Sequence, residues 1–182
     1  MHVLAPSQHV LVPHPCSTIL VGIFDVRYST AIQDPTMSLP SGSAVGINGI
    51  HVHGSDLYYT NLGAGTFIKI PISLADGRQV GPAMVIFNDI EGDDFALSKD
   101  GRFAWIAANP DNTLLEFDIW SRTGRVAAGS FNSTDIAEPT AVAFGRTRTD
   151  GNVLYVVTAG GLGSPFADSG VTGGRVVGIS LS

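Results

Sequence analysis

The chain has 182 residues, 44% of them hydrophobic and only 14% charged, so it can bury a core and is not a disordered chain. Its formal net charge is −6, and no Lys/Arg cluster breaks that balance. This excludes the cationic face that nucleic acid or an anionic membrane surface requires.

At the N-terminus, Met1 to Pro6 has no basic segment ahead of a long apolar run, so no signal peptide is expected. No stretch approaches the roughly 18 apolar residues of a spanning helix. Cys16 is the only cysteine, which rules out an internal disulfide and a cysteine zinc site and fits a reducing compartment. Asn132-Ser133-Thr134 is a glycosylation sequon, relevant only to a secreted chain.

Strand-like runs then follow in order. They are Val10-Leu11-Val12, Ile19 to Asp25, Ser29 to Ile32, Asp56 to Tyr59, Thr66 to Ile70 and Ala83 to Phe87. Phe103 to Ala107, Thr113 to Phe117, Arg125 to Ala128, Val153 to Val157 and Arg175 to Ser180 continue the series. Turn signals separate them: Gly54-Ser55, Asp76-Gly77, Asp100-Gly101, Thr123-Gly124, Asp150-Gly151 and Gly160-Gly161. No long window keeps a helical period free of Gly or Pro. The chain reads as antiparallel all-β.

An internal repeat organises these runs. Asn48-Gly49-Ile50-His51-Val52, Asp93-Asp94-Phe95-Ala96-Leu97 and Pro139-Thr140-Ala141-Val142-Ala143 align at offsets of 45 and 46 residues. Each opens on a polar or turn residue and then alternates. Each is followed by a turn and an aromatic-bearing strand around Tyr58, Trp105 or Tyr155. A unit of this length with up to four strands is the mark of a β-propeller blade. The expected blades span about residues 8–38, 45–88, 92–131 and 138–182 of one domain. A β-sandwich with evenly spaced hairpins is the alternative.

The same segments carry a resemblance. Asn48-Gly49-Ile50, Asp93-Asp94-Phe95-Ala96-Leu97 with Asp100-Gly101, and Pro139 to Gly145 with Leu154 to Thr158 resemble successive blades of one superfamily. It is the senescence-marker-protein, gluconolactonase and luciferin-regenerating-enzyme superfamily. Gly173-Gly174-Arg175-Val176-Val177 resembles its C-terminal blade. Asp34-Pro35-Thr36-Met37 and Asn109-Pro110-Asp111-Asn112 are similar to the fungal branch, some of whose members resemble hetero-Diels–Alderases. The resemblance implies a six-bladed propeller, of which this chain supplies nearly four blades. A fragment, a homodimer or an unusual closure would each account for the shortfall.

In a propeller the start of each inner strand lines the central channel. Asn48 and Asp93 hold equivalent phases of adjacent blades, so their side chains should converge. An amide oxygen and a carboxylate suit a hard divalent cation such as Ca²⁺. The resemblance matches these two residues to metal ligands and makes Asp93 the group that orients or deprotonates water. Glu91, Asp93 and Asp94 concentrate three carboxylates, either an acid/base set or a solvated loop. His51 and His53 share one strand face, either toward the channel or toward a neighbouring blade. A zinc site would need a third ligand, and His2, His9 and His14 lie near the terminus. Asn61, Asn109 and Thr158 end second strands and either edge the pocket mouth or form turns. Thr140 is placed to contact a ligand. Gly160 to Gly163 is no phosphate loop, and no nucleophile elbow appears.

Three function classes follow, each with a small-molecule partner or none. The first is metal-assisted hydrolysis of a lactone or ester, catalysed through Asp93 and His51. The second is a metal-free pericyclase whose shaped pocket preorganises diene and dienophile. The third is a non-catalytic binding or scaffold propeller.

Overall fold

The structure is a computed structural model that describes residues 21–22, 25–26, 29–162 and 171–181. Two short strands, β1 (Val21–Gly22) and β2 (Asp25–Val26), form an antiparallel pair. Three larger antiparallel sheets follow. The first joins β3 (Ile47–His53), β4 (Asp56–Asn61), β5 (Thr66–Pro71) and β6 (Met84–Asn88) in chain order. The second joins β7 (Gly92–Leu97), β8 (Phe103–Ala108), β9 (Thr113–Asp118) and β10 (Thr123–Gly129). The third joins β11 (Pro139–Phe144), β12 (Val153–Thr158) and β13 (Arg175–Ser180). Among the described residues the only helix is a 3-10 turn, Pro35–Met37, which Asp34 caps by accepting the Thr36 N–H. The molecule is all-β and forms a partial propeller, each large sheet being a blade.

Neighbouring blades meet through apolar faces. Tyr58, Phe67 and Phe87 of the first blade pack against Phe95, Ala104 and Ile106 of the second. Ala96, Trp105 and Leu114 of the second pack against Val142, Leu154 and Val156 of the third. Each large fully buried side chain among them, such as Phe67, Phe95 or Leu154, stabilises by roughly 1.5–3 kcal/mol. The outward face of the first blade buries Leu57, Tyr59, Ile68 and Ile70 under Ile32 and Met37. Inner strand β7 lies on β3 and β4, and β11 lies on β7 and β8.

Four expectations change. Ile19 to Asp25 is not one strand, because Gly22 already pairs back onto Asp25. Ser29 to Ile32 is irregular, its Ile32 serving as cover for the first blade. Thr123-Gly124 is no turn; it opens β10, and the chain reverses at Ile119–Arg122 with Arg122 at φ 56°. The third repeat is displaced by one residue. Val142, not Ala141, shares the face of Ile50 and Phe95, since Ile50 pairs with Tyr59, Phe95 with Ile106 and Val142 with Val156. The offsets in space are therefore 45 and 47, and Thr140 is the counterpart of Asn48 and Asp93. The bulges at the starts of the inner strands, between Ile47 and Ile50, Gly92 and Phe95, and Pro139 and Ala141, are the same size in all three blades, so the displacement arises earlier, in the chain between Gly92 and Pro139. A one-residue slip there sends every later side chain to the other face. Val10-Leu11-Val12 and most of the blade expected at 8–38 lie outside the described residues.

Candidate functional site

The three bulges sit side by side, and they re-aim the residues they contain. Gly49 enables the closest approach. A Cβ there would lie 2.5 Å from Asp94 Oδ1 and 2.6 Å from its Cα, so any side chain would push β3 off β7. The Gly49 N–H donates to Thr60 Oγ1 at 3.0 Å, and Thr60 Oγ1 donates in turn to the Asp93 carbonyl. This relay ties the two bulges together.

Asn48 is exposed, and its side-chain amide stands beside the half-buried carboxylate of Asp93 and favours its charged form. Asn109 approaches the same carboxylate from the third side, with Nδ2 3.5 Å from Asp93 Oδ2 and 3.4 Å from the Pro139 carbonyl. Burial pushes the Asp93 carboxyl above the usual carboxylate range. The Asp94 and Glu138 charges push it further, and the Asn48 amide opposes them. Asn48, Asp93 and Asn109 are thus drawn from two blades to one point.

The remaining candidates divide. His51 does not turn toward Asp93. Its Nε2 lies 3.1 Å from Asp94 Oδ1, and its ring meets the Phe95 ring edge-on at 4.7 Å. His53 Nε2 contacts the Lys99 carbonyl at 3.1 Å, and its ring covers Gly101, where a Cβ would strike it at 2.5 Å. Both histidines are therefore interblade residues, because the strand alternates and the bulge residues alone face inward. His2, His9 and His14 lie outside the described residues. Glu91 is exposed and leaves the acidic set. Thr140 is half-buried, with Oγ1 3.4 Å from the Val157 carbonyl.

Asn61 does not edge a pocket. It is wholly buried, donates to the Thr36 and Ser38 carbonyls at 3.0 Å each, and accepts the Ala64 N–H at 3.1 Å. Thr158 is buried as well and accepts the Arg175 N–H at 3.1 Å. Asn109 is not equivalent to them. The register pairs Ile47 with Asn61, Gly92 with Ala108 and Pro139 with Thr158, so Asn109 stands one residue past its strand and is free to reach Asp93.

Sequence reasoning missed Glu138. It is buried, holds φ 55°, donates its N–H to Asn112 Oδ1 at 2.7 Å and accepts the Ala159 N–H at 2.8 Å. A left-handed φ at a non-glycine residue is uncommon, and these two bonds impose it here. A signal existed. Glu91-Gly92-Asp93 and Glu138-Pro139-Thr140 correspond once the offset is 47.

As a cation site the set falls short. Ca²⁺ takes about six to eight oxygen ligands. Asn48 and Asp93 offer two side chains, and no group of three His, Cys, Asp or Glu among the described residues is arranged to hold a metal. A cleft of about 410 Å³ between the second and third blades, walled by Phe103, Trp105, Ala127 and Ile179, includes none of the predicted site residues.

The fold and this inner-strand site define a β-propeller protein. No family model matches the chain, and no curated protein sequence matches it. Solved structures share its fold. One is luciferin-regenerating enzyme, with a TM-score of 0.57 and 20% identity, over 75% of this chain and 45% of that one. A second is regucalcin, a calcium-binding protein from Agrobacterium tumefaciens strain C58, with a TM-score of 0.54 and 19% identity over 74% and 45%. A third is a Bacteroides uniformis protein provisionally assigned as a 6-phosphogluconolactonase, with a TM-score of 0.50 and 13% identity over 75% and 37%. The chain spans less than half the length of each. At these identities the likeness is one of fold, and the fold is that of the propellers the sequence resembles.

Proposed function

We propose that the chain binds a small cyclic organic substrate where Asn48, Asp93 and Asn109 meet, and hydrolyses a lactone or related ester there. One observation carries this reading: a half-buried carboxylate whose proton affinity is raised, held between two side-chain amides. A base with raised pKa removes a proton from water more readily than an exposed Asp does. Asp93 takes that proton as the water oxygen bonds to the carbonyl carbon. The Asn109 amide N–H donates to the carbonyl oxygen as it gains charge; when the carbonyl re-forms, the ring C–O bond breaks and protonated Asp93 returns its proton to the departing ring oxygen, releasing the hydroxy acid. Among the proteins of shared fold, one is provisionally assigned as a 6-phosphogluconolactonase, which supports the substrate class. Because the described donor set does not complete a cation site, no step is routed through a metal.

The test is hydrolysis of a panel of aldonolactones and simple esters by the full chain and by Asp93→Asn, each with and without chelator. The expected result is turnover by the parent chain and its loss in Asp93→Asn, with no fall in melting temperature. A parent chain inert on every lactone and ester, or an Asp93→Asn variant of full activity, overturns it.

A further inference from the structure

The two blade junctions repeat one arrangement. An aromatic residue in the second strand of a blade receives the inner strand of the next. Tyr58 lies, with Phe67, in the face that receives Phe95 and Leu97 of β7, the Phe67 ring meeting Phe95 edge-on at 4.9 Å, and Trp105 lies in the face that receives Val142 and Phe144 of β11, the Phe144 ring meeting it edge-on at 5.1 Å. Register confirms the equivalence, for Tyr58 pairs with His51, Trp105 with Ala96 and Tyr155 with Ala143.

Tyr155 therefore holds the receiving position in the third blade, yet it is 40% exposed, beside Val157 at 43% and Val176 at 69%. Ile50 and Val52 hold the inserting positions in the first blade, and they are 60% and 56% exposed. The cover formed by Ile32 and Met37 protects β4 and β5 on that face but leaves these two residues of β3 open. The inner strand is the part that carries a junction, since β7 and β11 do so inside the molecule.

We propose that these two faces meet between copies of this chain, head to tail, with Val52 of one copy over Tyr155 of the next. The occupant is specified by the molecule itself, because the intermolecular junction continues a contact it already makes twice. Both faces are apolar, and the Tyr155 hydroxyl is already turned aside to Asp150 Oδ2 at 3.2 Å. Two copies that each offer both faces close two junctions, whereas a rotation that does not close would give longer chains.

The experiment is light scattering coupled to size exclusion on the full chain over a range of concentrations. A concentration-dependent species of about twice the monomer mass or more is expected. Tyr155→Arg and Val52→Arg should each be monomeric, and their equimolar mixture should recover a dimer, because one receiving and one inserting face remain intact. Val157→Glu and Ile50→Glu form a second such pair should either arginine variant not fold, as judged by circular dichroism. A monomeric parent chain at all concentrations overturns the proposal. So does self-association that survives in a folded single variant, or a mixture that stays monomeric, which would indicate like-to-like contact.

Discussion

The Thr60 hydroxyl donates to the backbone carbonyl of Asp93, so the second strand of one blade holds the inner strand of the next. The same oxygen accepts the Gly49 N–H at 3.0 Å, and Thr60 is only 1% exposed. Thr60→Val conserves shape but orphans both backbone groups. Each orphaned group costs about 1–3 kcal/mol. Urea denaturation should show a loss in that range or above, and activity per folded molecule should fall as Asp93 loses its anchor. A variant as stable as the parent would show that water replaces the hydroxyl.

Asp93 sets a pH dependence. Its folded pKa lies above the ordinary value because burial comes first and the Asp94 charge second. The ionised base therefore appears only as pH rises through that raised value, and the rate should climb there rather than in the ordinary Asp range. The Asn48 amide lowers this pKa, so Asn48→Ala should move the climb to higher pH. Asp94→Asn removes a like charge and should move it to lower pH. Stability runs the opposite way from activity. Between the unfolded and the raised folded pKa the folded state binds more protons, so stability falls as pH rises through that window. At neutral pH Asp93→Asn should therefore melt no lower than the parent, and higher if burial dominates. Rate profiles and melting curves of the three variants check the signs.

Asn61 is a structural asparagine, and its loss should separate from catalysis. Asn61→Ala strands the Thr36 and Ser38 carbonyls and the Ala64 N–H, which its side chain now satisfies. Stability should fall by at least about 1–3 kcal/mol. Segment 34–38 should become more accessible to protease as the bonds that hold it to β4 disappear. Turnover per folded molecule should persist, and its disappearance would return Asn61 to the binding site.

The number of strands in each described large sheet and the placement of the three described inner strands were legible in the sequence alone. Both are local properties. Alternation through Ile50 and Val52, Phe95 and Leu97, and Ala141 and Ala143 marks half-buried strands, and Gly54, Asp100 and Asp150 mark the reversals that pair such strands. That Asn61 corresponds to Ala108 and not to Asn109 was settled only in three dimensions, as was the choice between Ala141 and Val142 for the buried face. Each inner strand carries the same bulge, so the register of the third blade is set by the length of chain between Gly92 and Pro139, which no local preference reveals. Tertiary structure also decided what each polar side chain meets. His51 and Asp93 are three residues apart in phase and both polar, but Asp93 lies within its bulge while the alternation of β3 sends His51 to Asp94. Glu138 gains its influence on Asp93 from the approach of β11 to β7, a contact between blades that pairing within a blade does not specify.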